Sequence, residues 1–321
     1  MNTVIIRERE DAFDALLEEA AIALRNGKLA AFPTETVYGL GANAFDDEAC
    51  KRIYSAKGRP SDNPLIVHVC DMDMAKALVQ DCDERFFCLA EAFWPGPISF
   101  VLKKNEKVCN TVSAGLDTVA IRMPDHELAL SLIRRAGVPI AAPSANLSGR
   151  PSPTRSEHVI FDLSGRVDYI LCSERFPIGV ESTVLDLSTK ESVILRPGAI
   201  NERMILERTG IRVKSQDGAA PVSVPKSPGT KYKHYSPEAR VFMVDADFRA
   251  EDVPAFAASK GVSASRTKFL EYPNDVRMAR DLFADFREAD LQHYELVLVK
   301  APDSGDLLEA NLNRLKKACE S

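Results

Sequence analysis

Apolar side chains at Phe13, Leu16, Leu17, Ala20, Ala21 and Leu24 fall on one face at helical spacing. They predict an amphipathic helix over 11–26 with Gly27 suited to its C-cap. LAAF (29–32) reads as a short buried strand, and Asp46 or Asp47 suits the cap of a helix through Tyr54. PLIVHV (64–69) predicts the next strand. Helices are expected over 72–80 and 83–93, the second stopped by Trp94-Pro95-Gly96-Pro97. Further strands are predicted at 98–103, 118–123, 138–142, 167–172, 182–187 and 192–196, and helices over 125–136, 154–162 and 201–209. So many adjacent strands exclude a purely parallel sheet, so the expected class is layered α/β with a mixed sheet.

The pattern breaks at 215–237, SQDGAAPVSVPKSPGTKYKHYSP, where four prolines and two glycines mark a connector with little capacity to form a core. Beyond it the pattern is regular. Strands at 239–245, 265–272 and 294–301 alternate with helices over 251–259, 275–289 and from 306 onward. This β-α-β-α-β-α order predicts a small Rossmann-like unit of about 80 residues. The chain divides into 1–214, a linker at 215–237 and a C-terminal domain at 238–321.

Length agrees with that division, since 321 residues suggest about two domains. A hydrophobic content of 45% with 27% charged residues is that of a globular chain with a full core. The net charge of −6 argues against a protein that coats nucleic acid or an anionic membrane, while leaving room for a local basic pocket. No apolar run approaches the ~18 residues of a membrane span. The start, MNTVIIREREDAF, lacks the features of a signal peptide, so a cytoplasmic location is expected. Seven scattered cysteines form no CxxC pair and read as reduced thiols.

GLGANA (39–44) has the spacing of a dinucleotide fingerprint, which would suggest an NAD enzyme. The context is wrong: PTETVY separates the preceding strand from the first Gly, and no helix opens at once. The glycines are expected instead to let the backbone turn beneath a pocket. No P-loop, G-x-S-x-G, HExxH or EF-hand pattern is present. In PTETVYG (33–39), Thr34 and Thr36 could bond local backbone or present hydroxyls to a ligand.

SAKGRPSDNPLIVHV (55–69) places Lys57 and Arg59 after a helix C-terminus, where cations are favoured in any case. Pro60, Ser61, Asn63 and Pro64 go beyond that need. They suit a stiffened site in which Lys offers a point charge and Arg a planar fork to phosphate oxygens. His68 alternates with Val67 and Val69 and reads either as a satisfied core histidine or as a substrate contact.

APSANLSGRPSPT (142–154) brings Ser144, Asn146, Ser148, Arg150 and Ser152 to the end of a strand, either as a capped loop or as a ligand-binding edge. Arg122 and Arg196 end strands, and Ser182 with Thr183 begins one. Together these residues suggest an anion pocket in an acidic chain. No Ser-His-Asp or Cys-His arrangement can be assembled from spacing. The expected chemistry therefore runs by positioning and charge neutralisation, as in nucleotidyl transfer.

FPTETVYGLG, SAKGRPSDNPLIVHV, FWPGPISFVL, VAIRMPDH, PIAAPSANLSGRPSPT, ESTVLDL, LRPGAI and SPGTKYKHYSP, in that order, resemble the YrdC-domain L-threonylcarbamoyladenylate synthases in their two-domain form. The resemblance implies a YrdC-like twisted open mixed sheet joined by a linker to a Rossmann-like domain. It implies a nucleotidyltransferase that condenses L-threonine, bicarbonate or CO2 and ATP, with Mg2+, to threonylcarbamoyl-AMP and pyrophosphate. The product would pass to the machinery that forms N6-threonylcarbamoyladenosine in tRNA, with no need for this chain to bind tRNA directly.

By the same resemblance, Lys57 and Arg59 are the catalytic pair of a Lys-x-Arg motif completed by Ser144 and Asn146. Arg59, Asn63, Thr118, Ser144, Asn146, Ser152, Arg196 and the linker residue Tyr235 would hold ATP. Thr36, His68, Arg122, Ala142 and Ser182 would hold threonine or its carbamate, and no protein ligand to the metal is implied. Both Lys57 and Arg59 are expected to face the ligand. A non-catalytic RNA-binding module is the contrasting reading, but an acidic chain with 7% aromatic residues lacks its basic face and stacking platforms.

Overall fold

The structure, a computed structural model, describes residues 2–173, 178–215 and 236–319. Its strands are Val4–Arg7 (β1), Ala30–Phe32 (β2), Gly39–Asn43 (β3), Ile66–His68 (β4), Ile98–Lys103 (β5), Thr118–Arg122 (β6), Ile140–Ala142 (β7), Tyr169–Cys172 (β8), Thr183–Asp186 (β9), Val193–Arg196 (β10), Lys214–Ser215 (β11), Arg240–Val244 (β12), Thr267–Glu271 (β13) and Leu296–Lys300 (β14). The α-helices are Phe13–Arg25 (α1), Asp47–Lys57 (α2), Met72–Lys76 (α3), Glu84–Phe93 (α4), Asn110–Ser113 (α5), Glu127–Ala136 (α6), Ser156–Leu163 (α7), Glu202–Thr209 (α8), Val253–Ser259 (α9), Asp275–Leu291 (α10) and Leu308–Cys319 (α11).

β1 to β11 form one mixed sheet in the order β1-β8-β2-β3-β7-β4-β6-β5-β9-β10-β11. The pairs β4–β6 and β5–β9 are parallel, whereas β3–β7, β4–β7 and β5–β6 are antiparallel. Alternation along the strands feeds two cores on opposite faces. Ala30, Phe32, Ile140 and Ala142 pack with Leu17, Leu24, Leu132 and Ile133 of α1 and α6. Ala31, Leu40 and Ala141 pack instead with Ile53 of α2 and with Phe86 and Leu89 of α4. The expected layered α/β class is therefore present, as helix, sheet and helix.

Several elements depart from expectation. Helix α2 runs three residues beyond Tyr54 to Lys57. Its cap is Asp46, which accepts from the Ala49 amide at 3.0 Å, and Gly58 closes it in the left-handed conformation at φ 61°. The glycines of GLGANA make no turn. They lie inside β3, antiparallel to β2 and β7. A Cβ on Gly41 would stand 2.6 Å from Ile140 Cγ2 and 2.9 Å from the Phe32 ring, so close strand packing accounts for this glycine. With the run inside a strand, the dinucleotide fingerprint has no strand-to-helix turn to occupy.

β12, β13 and β14 form a second, wholly parallel sheet with β14 in the middle. The β-α-β-α-β-α unit is as expected, although its first strand is at an edge, whereas a dinucleotide fold places that strand centrally. This C-terminal unit packs against the first. Val37 joins the core built by Met278, Phe283, Val297 and Leu315, and Val180 packs on Ala279 and Ala310. The expected linker at 215–237 falls almost wholly outside the described residues.

Gly41→Ala is expected to destabilise the chain by about 2 kcal/mol through overpacking against Ile140 and Phe32. A lower denaturation midpoint in urea checks this.

Candidate active site

The site begins with strand register. His68 pairs with Arg122 and Ile66 pairs with Ala142, so these four side chains share one face of the sheet. They form the floor of a cleft whose walls are loops: 34–39 after β2, 143–152 after β7, and 181–182 before β9. Arg59 and Arg196 enter from the ends of α2 and β10. The cleft opens to solvent at its mouth, and polar and cationic side chains dominate its lining.

In the loop PTETVYG both threonines line the cleft, and their hydroxyls meet each other at 2.9 Å. Thr34 Oγ1 accepts from the backbone amides of Thr36 and Val37 and donates to the Val37 carbonyl, which shapes the turn. Thr36 Oγ1 instead accepts from Arg122 Nη1 at 2.9 Å. Arg122 is 4% exposed and makes an ion pair with Glu35 at 2.7 Å. A buried guanidinium needs such partners, because desolvation of a lone cation costs several kcal/mol.

Arg196, also buried, donates through Nε and Nη2 to the Ser182 carbonyl at 3.1 and 2.9 Å. Its Nη2 also lies 3.1 Å from Ser182 Oγ, which in turn meets Ser99 Oγ at 2.8 Å. Ser152 donates to Glu181 at 2.6 Å. Burial alone would raise the Glu181 pKa, but Arg314, then Arg196 and the Ser152 hydroxyl, outweigh it and hold the group below the ordinary carboxylate value.

Of the residues singled out from sequence, Thr36, Arg59, His68, Arg122, Ala142, Ser144, Asn146, Ser152, Ser182 and Arg196 line the one cleft. Lys57 does not, which corrects the expectation that it faces the ligand. Its buried ammonium lies behind the wall and donates to the carbonyls of Ser144 and Asn146, each at 2.5 Å. The side chain that could have been a solvated helix cap instead fixes the loop after β7. Asn63 and Thr118 are buried outside the lining residues, Thr118 four residues back along β6 from Arg122. Both amide atoms of the Asn63 side chain lack a protein partner. Tyr235 lies outside the described residues.

Sequence reasoning missed Glu35, Tyr38 and Glu181. Single carboxylates inside a cationic cleft leave no spacing signal, because their partners Arg122 and Arg314 come from remote segments. No group of three or more His, Cys, Asp or Glu among the described residues could hold a metal ion.

Residues 22–198 match the Sua5/YciO/YrdC family model, described as telomere recombination, and residues 200–319 match the threonylcarbamoyl-AMP synthase C-terminal domain. Threonylcarbamoyl-AMP synthase of Pyrococcus abyssi is 42% identical, over 98% of this chain and 97% of its own. The chain belongs to the Sua5 family of threonylcarbamoyl-AMP synthases. The Bacillus subtilis synthase is likewise 42% identical, over 95% of this chain and 93% of its own. The structure of P. abyssi Sua5 complexed with L-threonine aligns at a TM-score of 0.91 and 39% identity, covering 100% of this chain and 98% of that one. Escherichia coli YciO, at 23% identity and a TM-score of 0.57 over 64% of this chain, shares the fold of the Sua5 family's larger unit.

In this Sua5-family chain, Lys57→Met is expected to remove a donor from three buried acceptors and destabilise the protein by about 3 kcal/mol, besides disturbing the site. Denaturant titration reads this directly. His68 supplies a pH test. Burial, then Arg122, lowers its pKa from 6.5 to about 3, so the folded chain holds it neutral. Its contribution to stability is complete above pH 6.5 and is lost as pH falls from 6.5 toward 3, because the unfolded imidazole binds a proton first. Between those values, His68→Gln is expected to flatten the fall in stability by about 1.4 kcal/mol per pH unit. Urea titrations of both proteins across that range check the slope.

Proposed function

We propose that this chain catalyses the reaction for which its relatives are named. L-threonine, bicarbonate or CO2, and ATP give threonylcarbamoyl-AMP and pyrophosphate. One observation carries the reading. Guanidinium groups and hydroxyls from segments far apart in sequence converge on one cleft, among them Arg59, Arg122 and Arg196 with Thr36, Ser144 and Ser182. A carboxylate next to a polyphosphate calls for such a set of donors.

The neutral amine of threonine adds to CO2 and loses a proton, giving a carbamate. A carbamate oxygen then bonds to the α-phosphorus of ATP as the bond to pyrophosphate breaks. Neither step needs a protein nucleophile. Arg122 takes the threonine carboxylate, while Thr36, His68, Ala142 and Ser182 shape the pocket for its side chain and the carbamate. A neutral His68 beside Arg122 adds no second charge there. Arg59, Ser144, Asn146, Ser152 and Arg196 hold the nucleotide. Asn63 and Thr118 extend that side, and the unpartnered amide of Asn63 supports a polar ligand there. Tyr235 completes the nucleotide set from the linker.

Charge at phosphorus is gathered by Arg59, and Lys57 acts by fixing the Ser144–Asn146 loop. Glu35 and Glu181 already have cationic partners, so neither would hold Mg2+, which would serve here to offset charge on the triphosphate. The catalytic unit is 1–214, followed by the linker 215–237 and the C-terminal domain 238–321. In the cytoplasm the product passes to the machinery that modifies tRNA. No helix among the described residues is long and apolar enough to cross a membrane.

Incubation with threonine, bicarbonate and Mg-ATP is expected to release pyrophosphate only when threonine is present, with threonylcarbamoyl-AMP appearing in the mass spectrum. Release that ignores threonine sinks the proposal. Arg122→Gln is expected to raise the KM for threonine by about 10- to 100-fold while shifting that for ATP far less, the cost of losing a charged hydrogen-bond partner.

A further inference from the structure

Arg314 belongs to α11 of the C-terminal unit, yet its guanidinium serves the first unit. The side chain is 0% exposed. Nε donates to Glu181 Oε2 at 2.9 Å, Nη2 to the Glu181 carbonyl at 3.3 Å, and Nη1 to the Pro197 carbonyl at 2.5 Å. Glu181 passes this contact into the cleft, because its other oxygen accepts from Ser152 at 2.6 Å. The carbonyl of the following residue, Ser182, accepts from Arg196. A Cβ on Gly198 would stand 2.2 Å from the Thr183 amide nitrogen, so the 181–183 and 197–198 backbones touch directly. Arg314 thus ties Glu181, next to the acceptor of Arg196, to Pro197, next to Arg196 itself.

We propose that Arg314 is a positioning residue for the nucleotide side of the cleft, acting through Glu181 to hold Ser152 and the backbone around Arg196. This deepens the activity proposed above and rests on its assignment of Ser152 and Arg196 to the nucleotide. The C-terminal unit is on this view a working part of the site. A buried carboxylate within an anion cleft would otherwise repel phosphate or capture Arg196 for itself. Pairing with Arg314 prevents both, and all three guanidinium nitrogens of Arg314 already have protein acceptors. A second contact reinforces the first: Arg287 of α10 donates to the carbonyl of Pro151, next to Ser152, at 3.1 and 2.6 Å. Two arginines of the C-terminal unit therefore act on Ser152, one through its hydroxyl partner Glu181 and one through the preceding carbonyl.

The test is binding of ATP and of threonine, each by calorimetry, to the full chain and to Arg314→Lys, Glu181→Gln and the double variant. These substitutions keep side-chain volume close to the original. Each single change is expected to weaken ATP by about tenfold and leave threonine within about twofold. The double variant is expected to be no weaker than the worse single one, because both residues act along one path. Unchanged ATP binding, equal loss of both ligands, or additive losses would each overturn the inference. Hydrogen exchange on the unaltered chain gives a reading that needs no variant. ATP is expected to slow exchange of the amides around Arg314, and no change there would overturn the inference as well. A wild-type chain that binds no ATP defeats the proposed activity and this inference with it. Variants that match an ATP-binding wild type defeat only the inference.

Discussion

Five cationic side chains among the described residues are withdrawn from water: Lys57, Arg122, Arg196, Arg287 and Arg314. Each would cost several kcal/mol unpaired, so each must be met by oxygen atoms brought from elsewhere in the chain. Lys57 takes the loop after β7, Arg122 takes Glu35 and Thr36, and Arg196 takes Ser182. Arg287 takes Asp162 and Pro151, and Arg314 takes Glu181 and Pro197. These pairings bind the loops to the sheet and the C-terminal unit to the first. The cleft is the space they enclose.

Such a frame suits chemistry that runs on arrangement. Donors that are already oriented need little reorganisation as charge develops on a phosphorus centre. In a chain whose net charge is −6, gathering guanidinium groups in one recess concentrates positive potential where it can act, away from surfaces that would attract nucleic acid. The carboxylates that share the recess, Glu35 and Glu181, each face an arginine and leave the potential positive. His68 stays neutral within it, since burial and Arg122 both oppose its protonation. The site is thus cationic at Arg122 on its floor and at Arg59 and Arg196 on its walls, with His68 uncharged beside Arg122.

The two units depend on each other at the same place. Val37, next to Thr36 in the cleft loop, completes the apolar core of the C-terminal unit. Val180, next to Glu181, packs on α10 and α11. At φ +94°, Gly179 lets that segment meet the α10 backbone, where a Cβ would lie 2.1 Å from the Ala279 carbonyl oxygen. The segments that line the cleft on one side are therefore those that dock the second unit on the other.

Local pattern was sufficient for most of the architecture, because apolar periodicity and caps act over a few residues. Asp46 at a helix start, the apolar face of 11–26 and the alternating strands of the last 80 residues were legible for that reason. The chemical type of the site was legible too, since Arg59, Arg122, Ser144, Ser182 and Arg196 stand at element ends, where loops can carry function. Which residues face the cleft was legible only in part. GLGANA reads as a turn until its neighbours Phe32 and Ile140 are seen to require a strand without side chains at Gly41. Lys57 reads as a ligand-facing cation until the loop carbonyls of 144 and 146 are found around it. Glu181 and Arg314 are 133 residues apart and meet only through the docking of two units. Sequence alone determined the elements and the kind of chemistry, through forces that act between near neighbours. Tertiary structure decided which charges are spent on the protein and which remain for a ligand, because that depends on oxygens delivered from distant parts of the chain.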